Sequence, residues 1–145
     1  MKNYKDLIIL IAEDDDGHAE LIKEGLLSSG VCNPIIRFRN GEEAWQFFSG
    51  TSQTNVRDIS KSYLLLLDIN MPIMDGVEVL RRIKSDENTK EIPVIMLTTT
   101  DDPREVEACY KLGCNIYITK PVQFDKFAEI LKRLGLFIQI VKVIN

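Results

Sequence analysis

Four short apolar runs, each five or six residues long, constrain this chain more than any other feature. They are Leu7-Ile8-Ile9-Leu10-Ile11-Ala12, Tyr63-Leu64-Leu65-Leu66-Leu67, Pro93-Val94-Ile95-Met96-Leu97 and Asn115-Ile116-Tyr117-Ile118-Thr119. Continuous apolar stretches of this length suit strands covered on both faces, as in a parallel sheet. A weaker fifth run, Pro34-Ile35-Ile36-Arg37-Phe38, follows the first. Between the runs the apolar residues recur at helical spacing over about 17–29, 41–49, 75–86, 103–113 and 123–134, the last with Phe124, Phe127, Ile130, Leu131 and Leu134 on one stripe. Strand and helix therefore alternate five times, and right-handed crossovers make this an α/β fold: a single doubly wound (βα)5 domain, a five-stranded parallel sheet with helices on both faces.

Local punctuation agrees. Asp75-Gly76 opens the third helix, Asp102-Pro103 sets proline at a first helical position, and Gly113 closes the fourth helix as a left-handed cap. The segment Ser49 to Ser62, rich in Ser, Thr and Asn, reads as a long surface loop within the domain. At 145 residues and 45% hydrophobic content there is material for one sizeable core and no second domain. With 18 Lys and Arg against 22 Asp and Glu, the bulk charge of -4 argues against a nucleic-acid or anionic-membrane partner. The apolar start is too short for a signal peptide and no run approaches a membrane span, so a cytoplasmic location is expected. Cys32, Cys109 and Cys114 are odd in number and lack CxxC spacing, which points to small packing residues rather than disulfides or zinc ligands. Trp45, with Phe47 and Phe48, reads as helix packing, and His18 as a residue of a polar helix face.

Ligands of open parallel sheets bind beyond the carboxyl ends of the strands. Those positions carry Glu13-Asp14-Asp15-Asp16 after the first run, Asp68 after the second, Thr98-Thr99-Thr100 after the third and Lys120-Pro121 after the last. Gathering Glu13, Asp14 and Asp68 in one pocket requires a cation, and an oxygen-only set with room for a carbonyl and waters suits Mg²⁺. Taken singly, Asp15 or Asp16 serves equally well as a helix cap. No phosphate-binding GxxxxGK[ST], no GxSxG and no strand-linked GxGxxG occurs, and an EF-hand register on Gly17 would put Ala12 and Lys23 where acids are needed.

In order along the chain, Leu10-Ile11-Ala12-Glu13-Asp14-Asp15, Leu67-Asp68-Ile69-Asn70-Met71-Pro72-Ile73-Met74-Asp75-Gly76, Pro93-Val94-Ile95-Met96-Leu97-Thr98 and Lys120-Pro121 resemble the receiver domain of two-component response regulators. The Leu-Thr-Thr element and the loop before the third strand are most similar to the free-standing response regulators paired with phytochrome kinases. The resemblance implies a response regulator that takes a phosphoryl group from a sensor histidine kinase onto Asp68, Mg²⁺-dependently, and then binds a downstream protein partner. It implies Glu13 and Asp14 as the metal-holding acids, with Asp68 and the backbone carbonyl of Asn70 completing the protein ligands. Thr98 and Lys120 would contact the phosphoryl group, and Tyr117 would change rotamer with Thr98.

An aspartyl-phosphate type Mg²⁺-dependent phosphatase is the alternative, but that class places a general acid two residues after its nucleophile, where this chain has Asn70. The receiver would occupy 1–135. Gly135 would end the last helix and leave 136–145 as an apolar extension, folded across that helix or, as we favour, pairing two copies in a homodimer.

Overall fold

The structure is a computed structural model that describes residues 7–140. Among the described residues β1 (Leu7–Ala12), β2 (Ile35–Phe38), β3 (Ser62–Leu67), β4 (Val94–Thr98) and β5 (Ile116–Thr119) alternate with α1 (Asp16–Ser28), α2 (Gly41–Ser49), α3 (Gly76–Ser85), α4 (Pro103–Leu112) and α5 (Phe124–Ile140). The strands form one parallel sheet in the order β2-β1-β3-β4-β5. This is the flavodoxin-like arrangement that the alternating runs imply. No helix of the described residues is long and apolar enough to cross a membrane.

Because successive strand residues face opposite sides, β1 feeds two cores. Leu10 and Ala12 pack with Phe47, Phe48, Val79, Leu80 and Ile83 beneath α2 and α3, while Leu7, Ile9 and Ile11 pack with Ile22, Leu26, Phe127, Leu131 and Leu134 beneath α1 and α5. The weak fifth run is the edge strand β2, and its half-buried pattern explains its faint sequence signal. Helix starts follow capping chemistry: Asp15, Asn40, Asp75 and Asp102 each accept a backbone N–H from the first turn of the helix that follows. Asp15 thus proves to be a cap, the plainer of its two readings.

Two expectations need correction. Gly135 does not end the last helix, since α5 runs through it to Ile140. A Cβ at Gly135 would collide with Ser29 Oγ at the end of α1. The glycine therefore permits close approach of two helices instead of breaking one. Residues 136–140 are helical, Ile138 is buried, and the rest of the proposed extension, 141–145, lies outside the described residues. Cys32 is exposed, so only Cys109 and Cys114 of the three free thiols are packing residues. Trp45 packs against the core, with the Arg82 guanidinium 5.9 Å from its ring centre.

The Ser49 to Ser62 segment is irregular between the end of α2 and the start of β3. It is held by Arg57 Nη2, which donates to the Asn88 carbonyl at 2.7 Å, and by the Asp58 N–H, which donates to the Tyr63 hydroxyl at 2.9 Å.

Candidate functional site

Chain order turns back between β1 and β3: β1 leads outward to β2 on one side and pairs with β3 on the other. The carboxyl ends of these two strands therefore open a crevice. Register aligns Ala12 with Leu67, so the next residues, Glu13 and Asp68, emerge side by side. Asp68 N–H donates to the Ala12 carbonyl at 3.0 Å, and Asp68 Oδ1 accepts from Ile69 N–H at 2.8 Å. Gly76 lies against the same turn, where a Cβ would collide with the Asp68 carbonyl oxygen.

On the other flank β4 ends in Thr98, fully buried, and Lys120 follows β5 with its N–H donating to the Thr98 carbonyl at 2.7 Å. The Lys120 ammonium donates to Glu13 Oε1 and lies 3.4 Å from Asp68 Oδ2. All three side chains are almost wholly buried. Asp14 is exposed beside them, and Glu13, Asp14 and Asp68 each offer an oxygen within 4.8 Å of the others.

Three carboxylates thus face one ammonium. Desolvation penalises the charged form of Glu13 and pushes its carboxyl up to about 7, against the opposing pull of Lys120. A site that buries more negative than positive charge is poised to take a cation, and an all-oxygen donor set fits a hard divalent ion.

Of the other residues singled out from sequence, Asn70 is exposed, and its Nδ2 donates to Thr100 Oγ1 at 3.0 Å. The Tyr117 hydroxyl donates to the Thr100 carbonyl at 2.6 Å, and burial raises its pKa to about 12. Thr100 is therefore a junction between the two.

Two residues belong to this neighbourhood that sequence did not reveal. His18, one turn into α1, places Nδ1 3.2 Å from Lys120 Nζ and tilts its ring against Phe127, with centroids 5.8 Å apart. Arg37 on β2 reaches the loop that carries Glu13 and Asp14. A lone histidine and an edge-strand arginine carry no local signal for such partnerships.

A doubly wound sheet with an acid pocket at its switch point and a lysine after its last strand defines a class of α/β domains that bind a ligand beyond the strand ends, and the comparisons narrow it. The model of the response regulator receiver domain matches residues 9–132, so the chain belongs to that family. Response regulator Rcp1 of Synechocystis is 37% identical over 113 residues, covering 78% of this chain and 76% of that protein. The Mn²⁺-bound structure of Rcp1 superimposes with a TM-score of 0.86 at 30% identity, over 95% of this chain and 99% of that one. A receiver domain from Rhodospirillum rubrum gives 0.87 at 42% identity, over 94% and 96%. The phosphorylated cyanobacterial phytochrome response regulator RcpA gives 0.78 at 34%, over 90% and 91%. The chain's relatives thus include phytochrome-associated response regulators.

Proposed function

We propose that this chain is a phosphoacceptor switch: Asp68 takes a phosphoryl group from the phosphohistidine of a sensor histidine kinase, and the modified protein binds a downstream partner with altered affinity. The observation that carries this reading is the buried set of Asp68, Glu13 and Lys120 at the switch point, with Asp14 at its exposed rim.

In the transfer, an Asp68 carboxylate oxygen forms the new bond to phosphorus as the phosphorus–nitrogen bond to the donor imidazole breaks, and the departing imidazole keeps the bonding pair. Such transfers pass through loose transition states, so the protein contributes alignment and charge compensation. Lys120 supplies one positive charge next to Asp68, and Glu13, Asp14 and Asp68 would hold the cation, with the Asn70 carbonyl as a further ligand. A divalent ion held there would supply positive charge to compensate the phosphoryl oxygens. Rcp1, a similar protein, has been crystallised in a Mn²⁺-bound form, which supports a divalent ion here.

Thr98 Oγ would donate to a phosphoryl oxygen that exists only in the modified state, a differential contact able to shift a conformational equilibrium. Tyr117, bonded now to the Thr100 carbonyl, would move with Thr98. A phytochrome-like kinase is the favoured donor because RcpA is a phytochrome response regulator. Leu136, Phe137 and Ile140 expose apolar surface along the end of α5 and would pair two copies of the chain. Sedimentation at tens of micromolar, a working range for weak association, should show a dimer that Leu136→Glu with Ile140→Glu converts to monomer.

The chemistry is tested by incubating the protein with acetyl phosphate. Covalent phosphate should appear with Mg²⁺ and fail to appear with EDTA, and labelling indifferent to the metal would remove the assigned site.

A further inference from the structure

Arg37 engages the acidic loop with every nitrogen of its guanidinium. Nε and Nη2 donate to the Glu13 carbonyl at 3.0 and 2.8 Å, Nη2 also reaches the Asp14 carbonyl at 3.2 Å, and Nη1 pairs with Asp16 Oδ1 at 2.6 Å. The Glu13 carbonyl needs such a donor. The paired register of β1 ends at Ala12, opposite Phe38 on one side and Leu67 on the other; Glu13 N–H still donates to the Phe38 carbonyl at 3.1 Å, while its own carbonyl, past the paired register, takes its bonds from Arg37. Arg37 comes from the edge strand, in register with Ile11, and its side chain is only 17% exposed although Asp16 is largely in solvent. A surface ion pair would need just one of these contacts, and such pairs contribute little. The remaining three go to the backbone that carries two carboxylates.

Resting on the phosphoacceptor reading, we propose that Arg37 is a positioning residue for the cation site: it locks the Glu13 and Asp14 peptides so that both carboxylates are aimed before the ion arrives. Asp14 most needs this. Its side chain is exposed, so packing does not orient it and the backbone must. Asp16 pairs with Arg37 and, at 2.9 Å, with Arg39, so one carboxylate is shared by two guanidinium groups at the edge of the loop. Groups outside the ligand shell that fix ligand geometry commonly change metal affinity by about 10- to 100-fold.

Charge and geometry make opposite predictions, which allows a clean test. Mg²⁺ binding to the full chain is measured by calorimetry for the wild type, Arg37→Lys and Arg37→Gln, with urea unfolding of each metal-free protein as the reference for the fold. Lysine keeps the charge but lacks the fork that serves three acceptors. Positioning predicts that Arg37→Lys binds Mg²⁺ about tenfold more weakly, that Arg37→Gln is weakened at least as much, and that neither loss tracks the urea midpoint. Undiminished binding by Arg37→Lys overturns the proposal, as does tighter binding by Arg37→Gln, the signature of a purely repulsive charge. Weakening that scales with lost stability in both variants also overturns it, in favour of a structural role. Failure of the wild type to bind Mg²⁺ would instead remove the phosphoacceptor reading itself, and this inference with it.

Discussion

The two ends of the one sheet differ in whether charged side chains meet one another. At the amino ends of the strands polar side chains bond to backbone: Asn33 Nδ2 donates to the Leu7 carbonyl at 3.0 Å, Lys84 Nζ to the Ile92 carbonyl at 2.6 Å, and Asn115 Oδ1 accepts from Val94 N–H at 2.9 Å. At the carboxyl ends polar side chains bond to backbone too, as Arg37 and Tyr117 do, but charged groups there also meet one another, as Lys120 does Glu13 and Asp68, and Asn70 bonds to Thr100. The first pattern fastens loops to strands. The second concentrates charge that the fold does not need, since apolar side chains of similar volume would stabilise a core at least as well as a buried ion pair.

A cavity of about 690 Å³ lies at the amino end, between the long loop and the segment joining α3 to β4, lined among others by Arg57, Lys61, Asp86, Glu87 and Ile92. Its charges have no common sign or focus, whereas the carboxyl-end crevice gathers three carboxylates, two of them paired with one lysine. Converging chemistry, more than volume, separates a site from a gap.

This contrast can be broken most sharply by Asp14→Asn. Asp14 is exposed, so the urea midpoint should hardly move, while the rate of Mg²⁺-dependent labelling should fall by about 100-fold, the scale for losing one preorganised charge. An equal loss of stability and rate would erase the distinction between the two ends.

The Glu13 carboxyl, raised from 4.5 to about 7 by burial, makes a pH prediction. A raised folded pKa means that the group favours folding below its unfolded pKa and that this contribution disappears as pH climbs through the folded value. Without metal, the wild type should therefore lose stability relative to Glu13→Gln as pH rises from 4.5 to about 7, the window set by that shift. Parallel curves from the two proteins would mean that Glu13 is charged throughout.

The opposite end should show the reverse sensitivity. Asn33→Ala removes a buried bond to the Leu7 carbonyl and should cost about 1–2 kcal/mol of unfolding free energy, with the labelling rate unchanged. A slowed rate at constant occupancy of the fold would couple the two ends. The smallest effect belongs to Ile73, in the loop after Asp68, where φ is 72° at an exposed β-branched residue. Asparagine tolerates that left-handed region far better, so Ile73→Asn should gain about 1 kcal/mol by urea unfolding. No gain would mean that the loop relaxes without penalty.

Much of the carboxyl end was legible in the sequence because strand termini are marked locally: an apolar run stops and a carboxylate, threonine or lysine follows. Thr98 ends the strand next to Lys120, and Glu13, Asp14, Asp68 and Lys120 come together by that rule. Arg37 and His18 do not, for their partners lie 24 and 102 residues away and neither carries a motif. Gly135 failed for another reason. A glycine after a helical stripe reads equally as a stop or as a helix contact, and only the position of Ser29 on α1 decides between them.

On the proposed function, the carboxyl-end charge serves to receive a phosphoryl group on one carboxylate. This function is tested most directly by labelling the full chain with acetyl phosphate and Mg²⁺, trapping the acyl phosphate by borohydride reduction, and locating the reduced residue by peptide mass spectrometry. Reduction is expected at Asp68 alone, and none in Asp68→Asn or in EDTA. Trapping at Asp14 or at any residue outside the crevice, or labelling of Asp68→Asn at the wild-type rate, would contradict it.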